Sequence, residues 1–110
     1  MEIRELQGDG TTILQLCGRL DGTTSPGVDD RLSAMSAKTA VLVLDLAELS
    51  YVSSAGLRVL LKAAKQAQAA KQRLLLAGLQ PVVKQIFDIS GFTSIFTLFP
   101  SRDDALNSVR

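Results

Sequence analysis

Apolar positions recur along this chain in two periods, which predict strands that alternate with helices. Five runs have the alternating or continuous apolar pattern of strands, at residues 2–7, 12–17, 40–46, 73–77 and 95–99. The run at 40–46 is continuously apolar up to Asp45, which is typical of a parallel strand covered on both faces. The cluster Gly8-Asp9-Gly10 between the first two runs predicts a hairpin.

Helical periodicity and capping residues mark four further segments. The first helix is predicted from Pro26 to about Ser36, and the second from about Ser54 to Gln72. A third begins at Pro81 and ends near Gly91, and Ser101 caps a short closing helix. The order β-β-α-β-α-β-α-β-α predicts an α/β fold with a central mixed, mostly parallel sheet. We expect about four helices, packed chiefly on one side of that sheet.

Composition narrows the class of protein. The chain has 110 residues, of which 46% are hydrophobic, so we expect a single domain with a sizeable core. The formal net charge of +1 gives no field that favours nucleic acid. Cys17 is the single cysteine, which excludes an internal disulfide and fits a reducing compartment. Without a basic leader or an apolar run of membrane-spanning length, we expect a soluble, cytoplasmic protein that does not insert into membranes.

The absence of histidine removes most catalytic and metal-binding interpretations. Ser-His-Asp catalysis, Cys-His catalysis and zinc sites with histidine ligands all lack their base or ligand. Phosphate-binding Gly-x-x-x-x-Gly-Lys-Ser/Thr and nucleophile-elbow Gly-x-Ser-x-Gly motifs are also missing. We therefore expect no enzymatic activity, no metal and no cofactor, and slow nucleotide hydrolysis is the weakest of the functions considered.

A pair of serines gives the chain its most informative candidate site. Ser53 and Ser54 stand at the start of the second predicted helix, ahead of Gly56. Backbone amides without partners and the positive end of the helix dipole accommodate a phosphate well at such a position. Serine is also a preferred N-cap residue, so a purely structural role is the simpler alternative.

The segment around these serines resembles the signature of STAS domains, in particular that of bacterial anti-sigma factor antagonists. The strand ends in Asp45-Leu46, Tyr51 is the aromatic residue, and the acceptor motif reads Ser53-Ser54-Ala55-Gly56-Leu57. Further similar positions are Gly18-Arg19-Leu20-Asp21, Val83, Ile86, Phe87, Ser90-Gly91-Phe92, Phe96 and Ala105-Leu106. Two positions depart from the family pattern, since Ser53 replaces an aspartate and Ala55 follows the acceptor.

The resemblance implies a STAS-like fold over residues 1–110 and a function in partner switching. An unphosphorylated antagonist of this kind binds an anti-sigma factor that is also a serine kinase, and thereby releases that factor's target. Counting back from Gly56 makes Ser54 the phosphorylated serine, with Ser53 as the cap and the alternative acceptor. Phosphorylation ends the binding, and a serine phosphatase reverses it. ATP and Mg²⁺ would belong to the kinase.

The same resemblance implies a set of partner-binding residues. These are Asp21, Tyr51, Ser53, Ser54, Ala55, Gly56, Leu57 and Arg58. Asp21 would contact the kinase or orient the hydroxyl, or else bond its own turn. Gly56 would allow a partner to approach closely, or is merely tolerated at the helix end. The cations Arg58, Lys62 and Lys65 would steer an acidic partner or pair with phosphate, or simply form a solvated face.

One alternative from another class stays open at this point. The same resemblance fits an accessory subunit of a membrane transporter, for example of a lipid-transport ABC system, where the domain docks on an ATPase or permease. Co-purification with membrane subunits, without phosphorylation, would favour that function.

Overall fold

The computed structural model describes residues 1–8, 10–36 and 38–109, and within them the chain forms six strands, four α-helices and a short 3₁₀ helix. The elements in chain order are β1 Glu2–Gly8, β2 Thr11–Leu20, α1 Ser25–Met35, β3 Val41–Asp45, β4 Leu49–Val52, α2 Ser54–Ala70, β5 Arg73–Ala77, α3 Pro81–Ile89, the 3₁₀ helix Phe92–Ser94, β6 Thr97–Phe99 and α4 Arg102–Asn107.

The strands form one mixed sheet in the order β1-β2-β3-β5-β6. β1 and β2 are antiparallel, and the β2–β3, β3–β5 and β5–β6 pairs are parallel. The antiparallel pairing confirms the predicted hairpin, although Asp9 at its turn lies outside the described residues. The first half of β2 pairs with β3, and its last three residues pair in parallel with β4. Within the β2–β4 pairing the register shifts between Gly18, whose φ is +111°, and Arg19.

Side chains of the central strands alternate between two apolar layers. On one face, Leu42 and Leu44 of β3 are buried in the main core beneath α1, α2 and α3. On the other face, Val43 packs with Ala105 of α4. Three of the four helices thus cover one face, which confirms the prediction that the helices pack chiefly on one side.

Strand β4 was not predicted from the sequence. The predicted run at 40–46 and the helix from about Ser54 leave residues 47–53 without an element, whereas residues 49–52 form a strand beside the end of β2. Leu49 and Val52 are buried, while Ser50 between them is exposed. A run of only four residues with a polar member gives too weak a pattern to distinguish a strand from a turn.

Two predicted boundaries also shift in the structure. α2 ends at Ala70 rather than Gln72, because Lys71 takes the left-handed conformation (φ 58°) and caps the helix. β6 begins at Thr97 rather than residue 95, because the backbone amides of Ile95 and Phe96 both donate to the Phe92 carbonyl. The other boundaries agree with the sequence within a few residues, and the Ser101 side chain caps α4 as predicted.

Candidate functional site

The N-terminus of α2 separates the roles of the two serines. Ser53 has extended backbone angles, and its Oγ accepts a hydrogen bond from the Gly56 amide at 3.3 Å. Its carbonyl accepts from the Leu57 amide at 2.9 Å. Ser53 is therefore the N-cap, as the sequence predicted.

Ser54 is the first residue of α2, and its side chain is exposed. Among the described residues, no group accepts from the amides of Ser54 and Ala55, and the Ser54 hydroxyl makes no hydrogen bond. Arg58 lies one turn further along the helix, is exposed, and forms no ion pair within the described part of the chain. The Ser54 hydroxyl thus stands in solvent where free amides and a cation favour an anion.

The structure explains why position 56 is a glycine, and the explanation differs from the predicted one. It is buried, and a Cβ at this position would lie 2.8 Å from the Leu20 carbonyl oxygen and 2.8 Å from Val52 Cγ2. The groups that lie closest to Gly56 therefore belong to the chain's own β2 and β4. The neighbouring Leu57 is 8% exposed and belongs to the main core. Of the predicted contact residues on this turn, Ser54 and Arg58 are exposed, and Ala55 is partly so.

The end of β2 lies beside this helix start. The Ser53 amide donates to the Leu20 carbonyl at 2.9 Å, and Leu20 pairs with Val52 of β4. Asp21, the residue after Leu20, therefore belongs to the same edge of the fold as Ser54. The structure thus brings Asp21 and the two serines to one region, although they are separated by more than thirty positions in the sequence.

The Asp21 side chain accepts hydrogen bonds from the backbone of its own turn. This is the structural role that the sequence offered as the alternative to kinase contact. Asp21 Oδ1 accepts hydrogen bonds from the backbone amides of Thr23 at 3.0 Å and Thr24 at 3.2 Å. These bonds, above all that from Thr24, lower the pKa of the Asp21 carboxyl below its ordinary value, against an opposing effect of desolvation. The carboxylate is thereby fixed in its charged form at the start of the segment that leads into α1.

A cation–π contact adds a residue that the sequence did not single out. The Arg19 guanidinium lies 4.3 Å from the centre of the Tyr51 ring, and its Nε lies 3.9 Å from Asp21 Oδ2. Arg19 and Tyr51 are register partners in β2 and β4. The Arg19 side chain is 61% exposed, so it remains accessible to a partner. Only the unpredicted pairing of β2 with β4 would have revealed this contact.

The predicted basic stripe on α2 divides into three different environments. Lys62 Nζ lies 3.1 Å from Asp29 Oδ2 and so joins α2 to α1. Arg58 lies beside the serine site, and Lys65 faces a groove near the other end of the helix. The stripe is therefore not one continuous surface.

Metal ligation, membrane insertion and thiol chemistry concern other parts of the chain. The described residues contain no cluster of three or more metal-ligating Cys, Asp or Glu side chains. None of the helices in the described segments is both long and apolar enough to cross a membrane. Cys17 lies in β2, where burial is the main cause that raises the pKa of its thiol.

Comparison with known proteins identifies the family. Residues 2–105 match the model of the STAS domain, so the chain belongs to the STAS domain family. BtrV of Bordetella bronchiseptica, named as an anti-sigma factor antagonist, is 42% identical over 98 residues, which cover 88% of this chain and 84% of BtrV. The anti-sigma-B factor antagonist of Listeria monocytogenes is 31% identical over 99 residues, or 89% of this chain and 86% of that protein.

Solved structures share the fold over nearly the whole chain. An anti-sigma factor antagonist from Mycobacterium paratuberculosis has a TM-score of 0.90 at 24% identity, covering 99% of this chain and 93% of its own. Bacillus SpoIIAA in its phosphorylated form has a TM-score of 0.78 at 19% identity, covering 99% of this chain and 100% of its own. These comparisons confirm the predicted STAS-like fold and the resemblance stated from the sequence.

Proposed function

We propose that this chain is an anti-sigma factor antagonist that acts by partner switching, with Ser54 as its phosphorylated residue. The observation that carries the proposal is the exposed Ser54 hydroxyl at the start of a helix that Ser53 already caps. A kinase can therefore modify Ser54 without removing the cap of α2. The likeness to BtrV and to the Listeria antagonist supports the type of partner, an anti-sigma factor.

In the unphosphorylated state, the partner would dock on the exposed groups around the N-terminus of α2. These groups include the Ser54 hydroxyl, Arg58 and the Arg19–Tyr51 pair. Two arginines and one aromatic ring form a surface of the kind that is enriched in energetically important interface positions. Binding there would occupy the anti-sigma factor and release its target.

Phosphorylation would reverse this binding through charge. A phosphate on Ser54 adds about −1.5 to −2 charges at pH 7. The free amides of Ser54 and Ala55 and the Arg58 guanidinium would accommodate that charge within the chain. The same phosphate at the centre of a docked interface would have to lose its water, which weakens the complex. The switch thus requires little change in the fold.

The kinase would be the anti-sigma factor itself, using its own ATP and Mg²⁺, and a serine phosphatase would reset Ser54. Ser53, in the position where the family has aspartate, removes a negative charge beside the phosphoester. This neutral neighbour would ease accommodation of the phosphate. It also deprives a kinase of one acidic contact.

Two alanine variants test the assignment of Ser54. After incubation with ATP and a candidate anti-sigma factor serine kinase, intact mass should show one phosphoryl group on the wild type and none on Ser54→Ala. Ser54→Ala should remain bound to the kinase in the presence of ATP. Ser53→Ala is the matched control: it should still be phosphorylated, while losing about 1 kcal/mol of stability with its cap.

Three outcomes would contradict the proposal. Phosphorylation of Ser54→Ala but not of Ser53→Ala would show that the cap residue Ser53, and not Ser54, is the acceptor. A wild-type chain that neither binds the kinase nor accepts a phosphoryl group would exclude partner switching with that partner. Co-purification with subunits of a membrane transporter, without phosphorylation, would indicate the accessory-subunit function instead.

A further inference from the structure

A second surface lies towards the far end of α2. An open groove of about 700 Å³ runs between this helix, the start of β5 and residues 95–97. Its apolar lining includes Leu61 and Ala64 of α2, Leu74 of β5, and Ile95 with Phe96. Ile95 is 49% exposed, although it is a large apolar side chain. The groove therefore offers apolar surface that the chain itself does not cover.

The charged side chains that line this groove are both positive. Lys65 and Arg73 line it, and no aspartate or glutamate does so among the described residues. Neither cation takes part in an ion pair within the described part of the chain, in contrast to Lys62, which is held by Asp29. The two charges come from different elements, α2 and β5. A bound segment with several carboxylates could pair with both Lys65 and Arg73. A fatty acid has only one carboxylate and could pair with only one of them.

The wall that α2 contributes has a regular helical spacing. Leu61, Ala64, Lys65 and Gln68 line the groove at positions i, i+3, i+4 and i+7. A helical face with this spacing is suited to pack against another amphipathic segment. Leu61 lies seven residues beyond Ser54, or about 10 Å along the helix axis. The groove is thus separate from the serine site.

We propose that this groove, which we call the basic groove, binds a short acidic amphipathic segment of a partner protein. The apolar side chains of that segment would cover Ile95, Leu61 and Leu74. Its carboxylates would pair with Lys65 and Arg73. The interaction would not require Ser54 in either state, so it would remain possible when phosphorylation has released the anti-sigma factor.

The test uses a defined probe and the whole chain. The probe is a synthetic peptide of about 14 residues, with leucines at helical spacing and glutamates elsewhere, because shorter helices hardly form in water. Its counterpart has lysine at every glutamate. In the ¹⁵N-labelled chain, the acidic peptide should shift the amide signals of groove residues and leave those of Ser54 and Ala55 unchanged. The lysine peptide should cause no such shifts.

Charge-reversal variants make the test specific. Lys65→Glu combined with Arg73→Glu should raise the Kd for the acidic peptide at least about tenfold, as expected when close charge pairs are lost at an interface. Lys71→Glu is the matched control, since Lys71 is an exposed cation outside the lining, and it should change the Kd less than about twofold. Ile95→Asp should weaken binding as well, and it replaces the double variant if the latter fails to fold.

The proposal would be overturned by any of four results. These are absence of binding, equal binding of both peptides, a Kd that the groove variants leave unchanged, and shifts centred on Ser54. Saturation of the groove by dodecanoate, with no response to the acidic peptide, would also overturn it and would indicate a small anionic amphiphile. None of these results bears on phosphorylation of Ser54, so the two proposals fail independently.

Discussion

Two adjacent serines at the start of α2 have different environments because the chain turns into the helix between them. Ser53 still has an extended backbone, so its side chain can accept a hydrogen bond from the amide of Gly56, three residues further along the chain. Ser54 is already helical and exposed, with no hydrogen bond to its hydroxyl among the described residues. The family resemblance assigned Ser53 as the cap and Ser54 as the acceptor, because the preference of serine for the N-cap position fits either residue. The sequence also predicted amides without partners at this helix start, and the structure shows that they belong to Ser54 and Ala55.

Asp21 gives a prediction about pH. Its folded pKa is lowered, so the stabilisation from its turn is present above the unfolded value of about 3.9 and is lost as the pH falls through the folded value. We expect stability in urea to fall more for the wild type than for Asp21→Asn between about pH 5 and about pH 3. Asparagine keeps an Oδ1 acceptor for the Thr24 amide but has no charge to lose.

This prediction has a clear contrary result. If the unfolding free energies of the wild type and of Asp21→Asn change in parallel over that range, the hydrogen bonds from Thr23 and Thr24 do not favour the charged carboxyl. A ¹³C NMR titration of the Asp21 carboxyl provides a direct check, since its midpoint should lie below the ordinary aspartate value.

At the scale of elements, the first turn of α2 is set by its packing against two strands. Gly56 leaves no room for a side chain between the helix and the ends of β2 and β4. Gly27 in α1 is the opposite case, because nothing lies within 4 Å of a Cβ added there. One helical glycine is therefore required by close contact, and the other is not.

We expect Gly56→Ala to destabilise the fold by about 1–3 kcal/mol, because the added methyl group forces β2 and β4 away from the helix. Gly27→Ala should stabilise it by about 0.5–1 kcal/mol, since alanine favours a helix over glycine. Urea midpoints of the two variants measure both effects. An equal gain in stability for both would show that the first turn of α2 can shift to admit a side chain.

The elements show which parts of the fold could be predicted from the sequence. α2 and β3 were correct in type because their apolar patterns are long and regular. β4 has four residues and no such pattern, so it was missed. The contact of Arg19 with Tyr51 and the packing of Gly56 on Leu20 both depend on the pairing of β2 with β4. The internal contact that requires a glycine at position 56 was therefore not predicted.

At the scale of the whole molecule, α4 closes the second face of the sheet. Ala105 packs on that face, and Arg102 Nη1 lies 3.5 Å from Asp45 Oδ2 at the end of β3. The Asp45 side chain is 9% exposed and also accepts hydrogen bonds from Gln15 and from the Ala47 amide. The closing helix is thus attached to the central strand by both apolar packing and charge.

Loss of the Arg102–Asp45 ion pair should lower the free energy of unfolding more than loss of an exposed ion pair. We expect Arg102→Met to destabilise the protein by about 1–3 kcal/mol, because it leaves a buried carboxylate without its cation. Arg31→Met removes the more exposed pair with Glu5 and should cost less than about 1 kcal/mol. Equal losses in chemical denaturation would mean that Asp45 is satisfied by Gln15 and Ala47 alone.

β2 pairs with β3 along its first part and with β4 at its end, and this arrangement affects when the serine site can form during synthesis and folding. β3 and β4 both pair in parallel with β2, and each pairing must close a loop of many residues before it stabilises anything. The Ser53 amide binds Leu20, and Gly56 packs against the same residue. We therefore expect Ser54 to take up its helical position only after the distant strands have met. A kinase that recognises this geometry would act on the finished fold and not on the nascent chain.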